Sequence, residues 1–249
     1  MSKQLTVPTD ACLPLIFLHM YKAGGTSFRQ YIRAQYPDAH VQRVEGNIAD
    51  LEAWQQQPED IRHGIDLLLG HQYFGNHRFL RPGATYLTIL REPIDRVLSF
   101  YHYVERMPDH YLHQHGFEEG MSIVEVINSS RCVEFDNLQV RMLNPQPEYP
   151  PAFGSVSEDM FEVACENLRY IHQHGVVGII EQLDDCLKVL QRRYGWEPSK
   201  ITQANVTKSR PPVEAHDDAS LNAIRELNRY DEQLYALAKE MLGAQLVGS

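Results

Sequence analysis

Short apolar runs alternate along this chain with stretches in which apolar residues recur every three or four positions. Leu13-Pro14-Leu15-Ile16-Phe17-Leu18 is such a run, and its length suits a buried strand rather than a helix. It ends in His19-Met20-Tyr21-Lys22-Ala23-Gly24-Gly25-Thr26-Ser27, after which Phe28, Tyr31 and Ile32 mark one face of a helix over 26–35. The unit repeats further on. Tyr86-Leu87-Thr88-Ile89-Leu90 reads as a strand closed by Arg91-Glu92-Pro93, and Pro93 opens a helix carrying Val97, Leu98, Tyr101 and Val104 on one face. Proline is tolerated there because its missing N–H has no intrahelical partner to lose. Two more strands are predicted, over Ile65–Gly70 and Val176–Ile180, the second followed by a helix bearing Leu183, Cys186, Leu187, Leu190 and Tyr194. One last helix is predicted through Leu221, Ile224, Leu227, Leu234, Leu237 and Met241, with Asp217 and Asp218 at its start, where the helix dipole favours acid. From Met121 to His172 the pattern is helical throughout, interrupted by the proline-rich stretch Asn144–Pro151. Strands alternating with helices predict an α/β fold, a central, mainly parallel sheet flanked by helices. We expect a single domain over 1–249, with a helical insertion at about 108–174.

Composition narrows the partners. A chain of 249 residues with 43% hydrophobic and 22% charged residues is an ordinary globular mixture. Its formal charge of −10 argues against a nucleic-acid binder, which needs a cationic surface, and against docking on an anionic membrane. No apolar run approaches the ~20 residues of a membrane span. The beginning of the chain lacks the apolar core of a secretory signal, so a cytoplasmic location is expected. Cys12, Cys132, Cys165 and Cys186 are scattered without a C-x-x-C pair and are expected to be free thiols. The acid is segregated. Between Phe117 and Asp185 there are 13 Asp or Glu against three Arg and no Lys, which accounts for the entire excess.

Two segments carry candidate chemistry. Lys22-Ala23-Gly24-Gly25-Thr26-Ser27 lies where a strand hands over to a helix. Backbone N–H groups freed by glycine, together with a helix N-terminus, favour an anion there. Thr26 and Ser27 add hydroxyls and Lys22 adds charge. It is not a Walker A loop, in which lysine follows the second glycine. A plain tight turn capped by Thr or Ser is the competing explanation. In the second unit Arg91 sits at the carboxyl end of a strand, where open α/β sheets bind ligands, and Ser99 lies about two helical turns on. An arginine fork and a hydroxyl can hold another phosphate. Alternatively, Arg91 pairs with Glu92 or Asp95 and Ser99 faces solvent. Two anion sites on neighbouring strand ends suit a nucleotide phosphorylated at two positions.

At these residues the chain resembles a known family. His19–Ser27 is similar to the 5′-phosphosulfate loop (H-I-P-K-T-G-G-T-S) of sulfotransferases that use 3′-phosphoadenosine 5′-phosphosulfate (PAPS). Thr88–Ser99 resembles their 3′-phosphate motif, with Arg and Ser at the family spacing. Phe135–Leu143, Val177–Leu183, Asn205-Val206-Thr207-Lys208 and Asn228–Tyr235 add matches in order along nearly the whole chain. The branch resembled is that of heparan sulfate 2-O-sulfotransferase and related carbohydrate and bacterial enzymes. This chain departs from it at Tyr21, where proline is common, and at Ala23, where threonine is frequent.

The resemblance implies a P-loop-like α/β fold with a helical acceptor-side region, and a sulfotransferase that needs no metal. PAPS would be held by Lys22, Ala23, Gly24, Gly25, Thr26, Ser27, Arg91 and Ser99, with Lys208 and Arg210 in a basic loop that closes over the nucleotide in relatives. Lys22 is the implied counter-charge on the departing 5′-phosphate. His71, in Leu69-Gly70-His71-Gln72-Tyr73, resembles the family's Gly-His catalytic position and is the implied general base. His19 is expected to shape the loop, and His102 to line the cleft or pack. His110, His113 and His115 lack the spacing of a zinc site. The acceptor is a hydroxyl on a small molecule, lipid or carbohydrate, and the segregated acid favours a neutral or cationic one. A non-catalytic nucleotide-binding protein of the same fold is the alternative. A phosphoryl-transferring P-loop enzyme is opposed by the order of lysine and glycines.

Overall fold

The computed structural model describes residues 13–44, 48–145, 151–196 and 211–247. Five strands, β1 (Leu15–His19), β2 (Val41–Val44), β3 (Leu67–Gly70), β4 (Thr85–Leu90) and β5 (Val176–Ile179), form one parallel sheet in the order β2-β3-β1-β4-β5. The register pairs Leu15 with both Leu67 and Thr85, and Leu87 with Val176. Every residue of β1, β3 and β5 is buried. Successive strand residues point to opposite faces, so both faces of the sheet are covered, which is why these strands read as unbroken apolar runs. Each fully buried Leu or Ile in them contributes about 2 kcal/mol.

Ten helices surround the sheet among the described residues: α1 (Gly25–Arg33), α2 (Ile48–Gln55), α3 (Glu59–His63), α4 (Pro93–Glu105), α5 (Ile123–Ser129), α6 (Leu138–Leu143), α7 (Glu158–His174), α8 (Leu183–Tyr194), α9 (Asp218–Leu227) and α10 (Arg229–Val247). α7, α8 and α10 pack against β5, and α7 also against β4. A second buried apolar cluster joins α4, α5 and α9 through Val97, Leu98, Val126, Phe135 and Ile224. Between β4 and β5 the described residues hold helices and turns and no strand. The fold is therefore α/β, with a wholly parallel sheet flanked by helices.

Two features depart from the sequence pattern. β2 was not foreseen: Val41-Gln42-Arg43-Val44 is a half-exposed edge strand with little apolar signal. The predicted single last helix is two helices, broken at Asn228. The buried Asn228 side chain donates to the Phe135 carbonyl (2.9 Å) and accepts from the Asn137 N–H (3.0 Å). Asn137 in turn accepts from the first-turn N–H groups of Tyr230 and Asp231 (3.0 Å each). Asp231 returns the favour, accepting from the first-turn N–H groups of Gln139 (3.1 Å) and Val140 (2.8 Å). The helix breaks so that α6 and α10 can cap one another, satisfying buried donors that would each cost about 1–3 kcal/mol if left unpaired.

Candidate active site

The carboxyl ends of β1, β3 and β4 bring three of the sequence-predicted segments to one edge of the sheet. The first junction runs from β1 to α1. Lys22 and Gly24 both take left-handed conformations, with φ of 65° and 73°. A Cβ on Gly24 would stand 2.1 Å from Ile180 Cδ1, so with its left-handed φ the position favours glycine, and a side chain there would displace Ile180. For Lys22 the same conformation costs about 1–2 kcal/mol. It presents the Lys22 carbonyl to Arg91 Nη1 at 2.7 Å. α1 has no side-chain cap and no acid in its first turn. Thr26 and Ser27 lie in that turn. Ala23 is buried, its N–H bonded to the Met20 carbonyl at 3.3 Å. The Lys22 ammonium rests 4.2 Å above the Tyr103 ring centre, a contact worth about 0.5–1 kcal/mol.

The second junction, from β4 to α4, is built oppositely. Glu92 caps α4 by accepting from the N–H groups of Ile94 (3.2 Å) and Asp95 (2.7 Å), and Pro93 occupies the first turn. Arg91 donates through Nε to Asp95 at 2.9 Å and through Nη2 to the same oxygen. The pairing of Arg91 with Asp95 foreseen as an alternative is thus what the structure contains. A guanidinium has five N–H groups. Three are engaged, and each terminal nitrogen keeps one N–H without a partner among the described residues. Ser99 is half-buried on α4 with no hydrogen bond among the described residues. β1 and β4 are adjacent strands, so the two junctions are neighbours, joined by the Arg91–Lys22 bond.

β3 ends at Gly70, whose φ is +140° and whose Cβ would lie 1.9 Å from the Val44 carbonyl oxygen. His71 follows directly. Its Nδ1 is 2.7 Å from the His19 carbonyl, which can only accept. The neutral ring therefore carries its proton on Nδ1 and its lone pair on Nε2. The ring stacks on Tyr21 (centroids 3.8 Å apart, planes 7° apart) and on His19 (4.3 Å). Burial pushes the His71 pKa down to about 4; the bond to His19 opposes this, while Arg29, Arg43 and Lys22 reinforce it. Beside His71 lies a cavity of about 340 Å³ whose lining includes Tyr21, Tyr73, Tyr111, Glu134, Arg141 and Met142. Arg141 is buried and paired with Asp136, and it also donates to the carbonyls of Pro151 (2.7 Å) and Ala152 (2.9 Å). Glu134 accepts from the Tyr111 hydroxyl, which burial and this carboxylate hold protonated.

The other sequence-predicted residues fall elsewhere. His19 is buried between Phe17 and His71, and burial lowers its pKa well below the usual histidine value. His102 bonds Glu105 (3.0 Å) and approaches His216 (3.5 Å). His110 accepts from the Leu112 N–H, and His113 donates to the Val104 carbonyl. No group of three or more potential metal ligands occurs among the described residues. Nor, among them, is any helix long and apolar enough to cross a membrane. Lys208 and Arg210 lie outside the described residues. A larger cavity, about 420 Å³, opens near the amino ends of β1 and β4, lined by His77, Tyr170 and Arg193 among others, away from every residue named as a site.

Sequence reasoning quoted Gln139 within a matching stretch without giving it a role. It is fully buried on a helix that also buries Arg141, and a polar residue in that position was the available signal. Tyr111 and Glu134 carried no signal of their own.

The donor set suits an anionic nucleotide. At the first junction an uncapped helix N-terminus, a left-handed glycine and a lysine converge, and at the second two guanidinium N–H groups remain. No family model matches the sequence, and no curated protein is similar to it. Among solved structures, mouse sulfotransferase SULT7A1 complexed with PAP is similar with a TM-score of 0.41 and 12% identity over 89% of this chain. The chain spans 66% of that protein's length.

Proposed function

We propose that this protein is a sulfotransferase that moves the sulfuryl group of PAPS to a hydroxyl. The reading is carried by one observation: the open β1–α1 turn, tied through Arg91 to the next strand end, lies beside a histidine whose lone pair is left for a cavity. PAPS, when bound, supplies an activated sulfuryl group whose departure leaves negative charge on the 5′-phosphate. Lys22 and the N–H groups from Gly24 to Ser27 hold that phosphate and stabilise the charge as it grows. Arg91, with its two remaining N–H groups, and Ser99 hold the 3′-phosphate, and the family resemblance assigns Lys208 and Arg210 to the nucleotide as well. His71 takes the acceptor proton at Nε2 while its Nδ1–H stays on the His19 carbonyl. Tyr21 and His19 prevent the ring from turning, so it is aligned before the acceptor arrives.

The whole of 1–249 serves as one P-loop-like domain in this reading, cytoplasmic and independent of metal. The residues between about 108 and 174 wall the acceptor site. Arg141 is paired with Asp136, which leaves Glu134 as the unneutralised charge among the described residues that line the cavity. A neutral or cationic hydroxyl compound with a flat body fits tyrosine walls and a carboxylate; a polysulfated glycan does not.

Calorimetry tests the reading. Adenosine 3′,5′-bisphosphate is expected to bind far more tightly than ATP, without added metal, and Arg91→Ala should abolish the preference. Equal binding of ATP, or a preference that survives Arg91→Ala, overturns it. With labelled PAPS and a panel of hydroxyl acceptors, His71→Ala should slow transfer by about 10²-fold or more. Nucleotide binding without transfer to any acceptor would favour the non-catalytic alternative.

A further inference from the structure

The side chain of Gln139 grips the backbone of Arg91 from both sides. Its Oε1 accepts from the Arg91 N–H at 2.9 Å, and its Nε2 donates to the Arg91 carbonyl at 3.0 Å. Arg91 lies just past β4, where neither group has a strand partner, so the carboxamide reproduces the paired bonds of a neighbouring strand. Gln139 is 0% exposed, and its own place is fixed from the far end of the chain. The Asp231 carboxylate, also 0% exposed, holds the N–H groups of Gln139 and Val140, while Asn137 holds those of Tyr230 and Asp231. Arg96, fully buried and with no hydrogen-bond partner on its guanidinium among the described residues, faces Asp231 at 3.9 Å. Side chain and backbone of Arg91 are thus fixed by different elements. Asp95 and the Lys22 carbonyl orient the guanidinium, while α6, mounted on α10, sets where the residue stands.

We propose that Gln139 is the positioning residue for Arg91, and that the mutual cap of α6 and α10 is the rigid mount from which it sets the 3′-phosphate site. The inference rests on the proposed function for the role of Arg91. Neither Gln139 nor Asp231 touches ligand. Removing the carboxamide leaves two buried backbone groups unpaired and lets Arg91 shift, by amounts that matter to a bidentate contact and little to the amides of the first junction.

The test compares the affinities of adenosine 3′,5′-bisphosphate and adenosine 5′-monophosphate, whose ratio reports the 3′-phosphate site alone. Gln139→Met is expected to lower that ratio by about tenfold while leaving monophosphate binding within about twofold. A merely structural residue would weaken both nucleotides together, and that result, or an unchanged ratio, overturns the inference. Should Gln139→Met fail to fold, Gln139→Glu keeps the acceptor for the Arg91 N–H and loses the donor. Its second carboxylate oxygen is set against the Arg91 carbonyl, so the ratio should fall by about tenfold or more, and an unchanged ratio there is equally fatal. A wild-type protein that does not distinguish the two nucleotides removes the proposed function itself, and the inference with it. A wild-type preference left intact in both variants removes the inference alone.

Discussion

The two strand-to-helix junctions start from similar material, a strand running into a helix with an arginine or lysine in the turn, and end in opposite states. α4 supplies its own cap from Glu92, its own acid in Asp95 and a proline in its first turn. Its N-terminal donors are satisfied by its own carboxylates, and its arginine is held by them. α1 has no such cap, no first-turn acid and a left-handed glycine ahead of it. Among the described residues no side chain caps its donors. The contrast is between a helix start that carries its own anion and one that does not. Glycine alone does not decide; the decisive feature is whether the helix brings its own anion.

Breaking the first junction should have the largest effect. Gly24→Ala adds a Cβ against Ile180 in a left-handed backbone, and about 2–4 kcal/mol of stability should be lost along with nucleotide binding. Chemical denaturation measures it, and an unchanged midpoint would mean that the turn can relax. Next comes the coupling of His71 to that junction. Tyr21→Ala removes the ring stacked on His71, so the His71 pKa should climb from about 4 by about one unit or more toward its ordinary value. A histidine depressed in the folded state is protonated first in the unfolded chain. Stability therefore rises with pH between about 4 and about 6.5 and falls as acid is added through that window. Tyr21→Ala should shrink this acid loss, and a histidine NMR titration that does not move would show the stack to be irrelevant. The smallest effect belongs to the self-sufficient junction. Glu92→Ala should cost about 1 kcal/mol by thermal melting and leave affinity for adenosine 5′-monophosphate unchanged. A loss of that affinity would mean the two junctions are less distinct than their caps suggest.

Much of this was legible in the residues. β1, β4 and β5 are buried on both faces and announce themselves as apolar runs, and Pro93 marks the start of α4 where a proline is tolerated. β2 was hidden because an edge strand shows solvent to half its residues. The break at Asn228 was hidden because it depends on Phe135 and Asn137, about ninety positions away, and helical periodicity continues across it. For Arg91 the sequence offered a phosphate or a pairing with Glu92 or Asp95, and the structure gives the guanidinium to Asp95 and the Lys22 carbonyl, while Glu92 caps α4 instead. Position at a strand end could be read from sequence, whereas occupancy of donors could not. Gln139 shows the same limit: it stood in plain view in α6, but what it grips is set by the folding of α6 against the end of β4.

The stacking of His71 carries a consequence for how a turnover would finish. Its Nδ1 points at a carbonyl that cannot pass a proton on, and its two ring faces are covered by His19 and Tyr21. A proton gained at Nε2 has no through-route to the other side. In the proposed reaction it would leave by the way it came, into the cavity, to water that enters once the sulfated product has departed. As the proposed base, His71 would be a terminus, not a relay, with its reset waiting on product release.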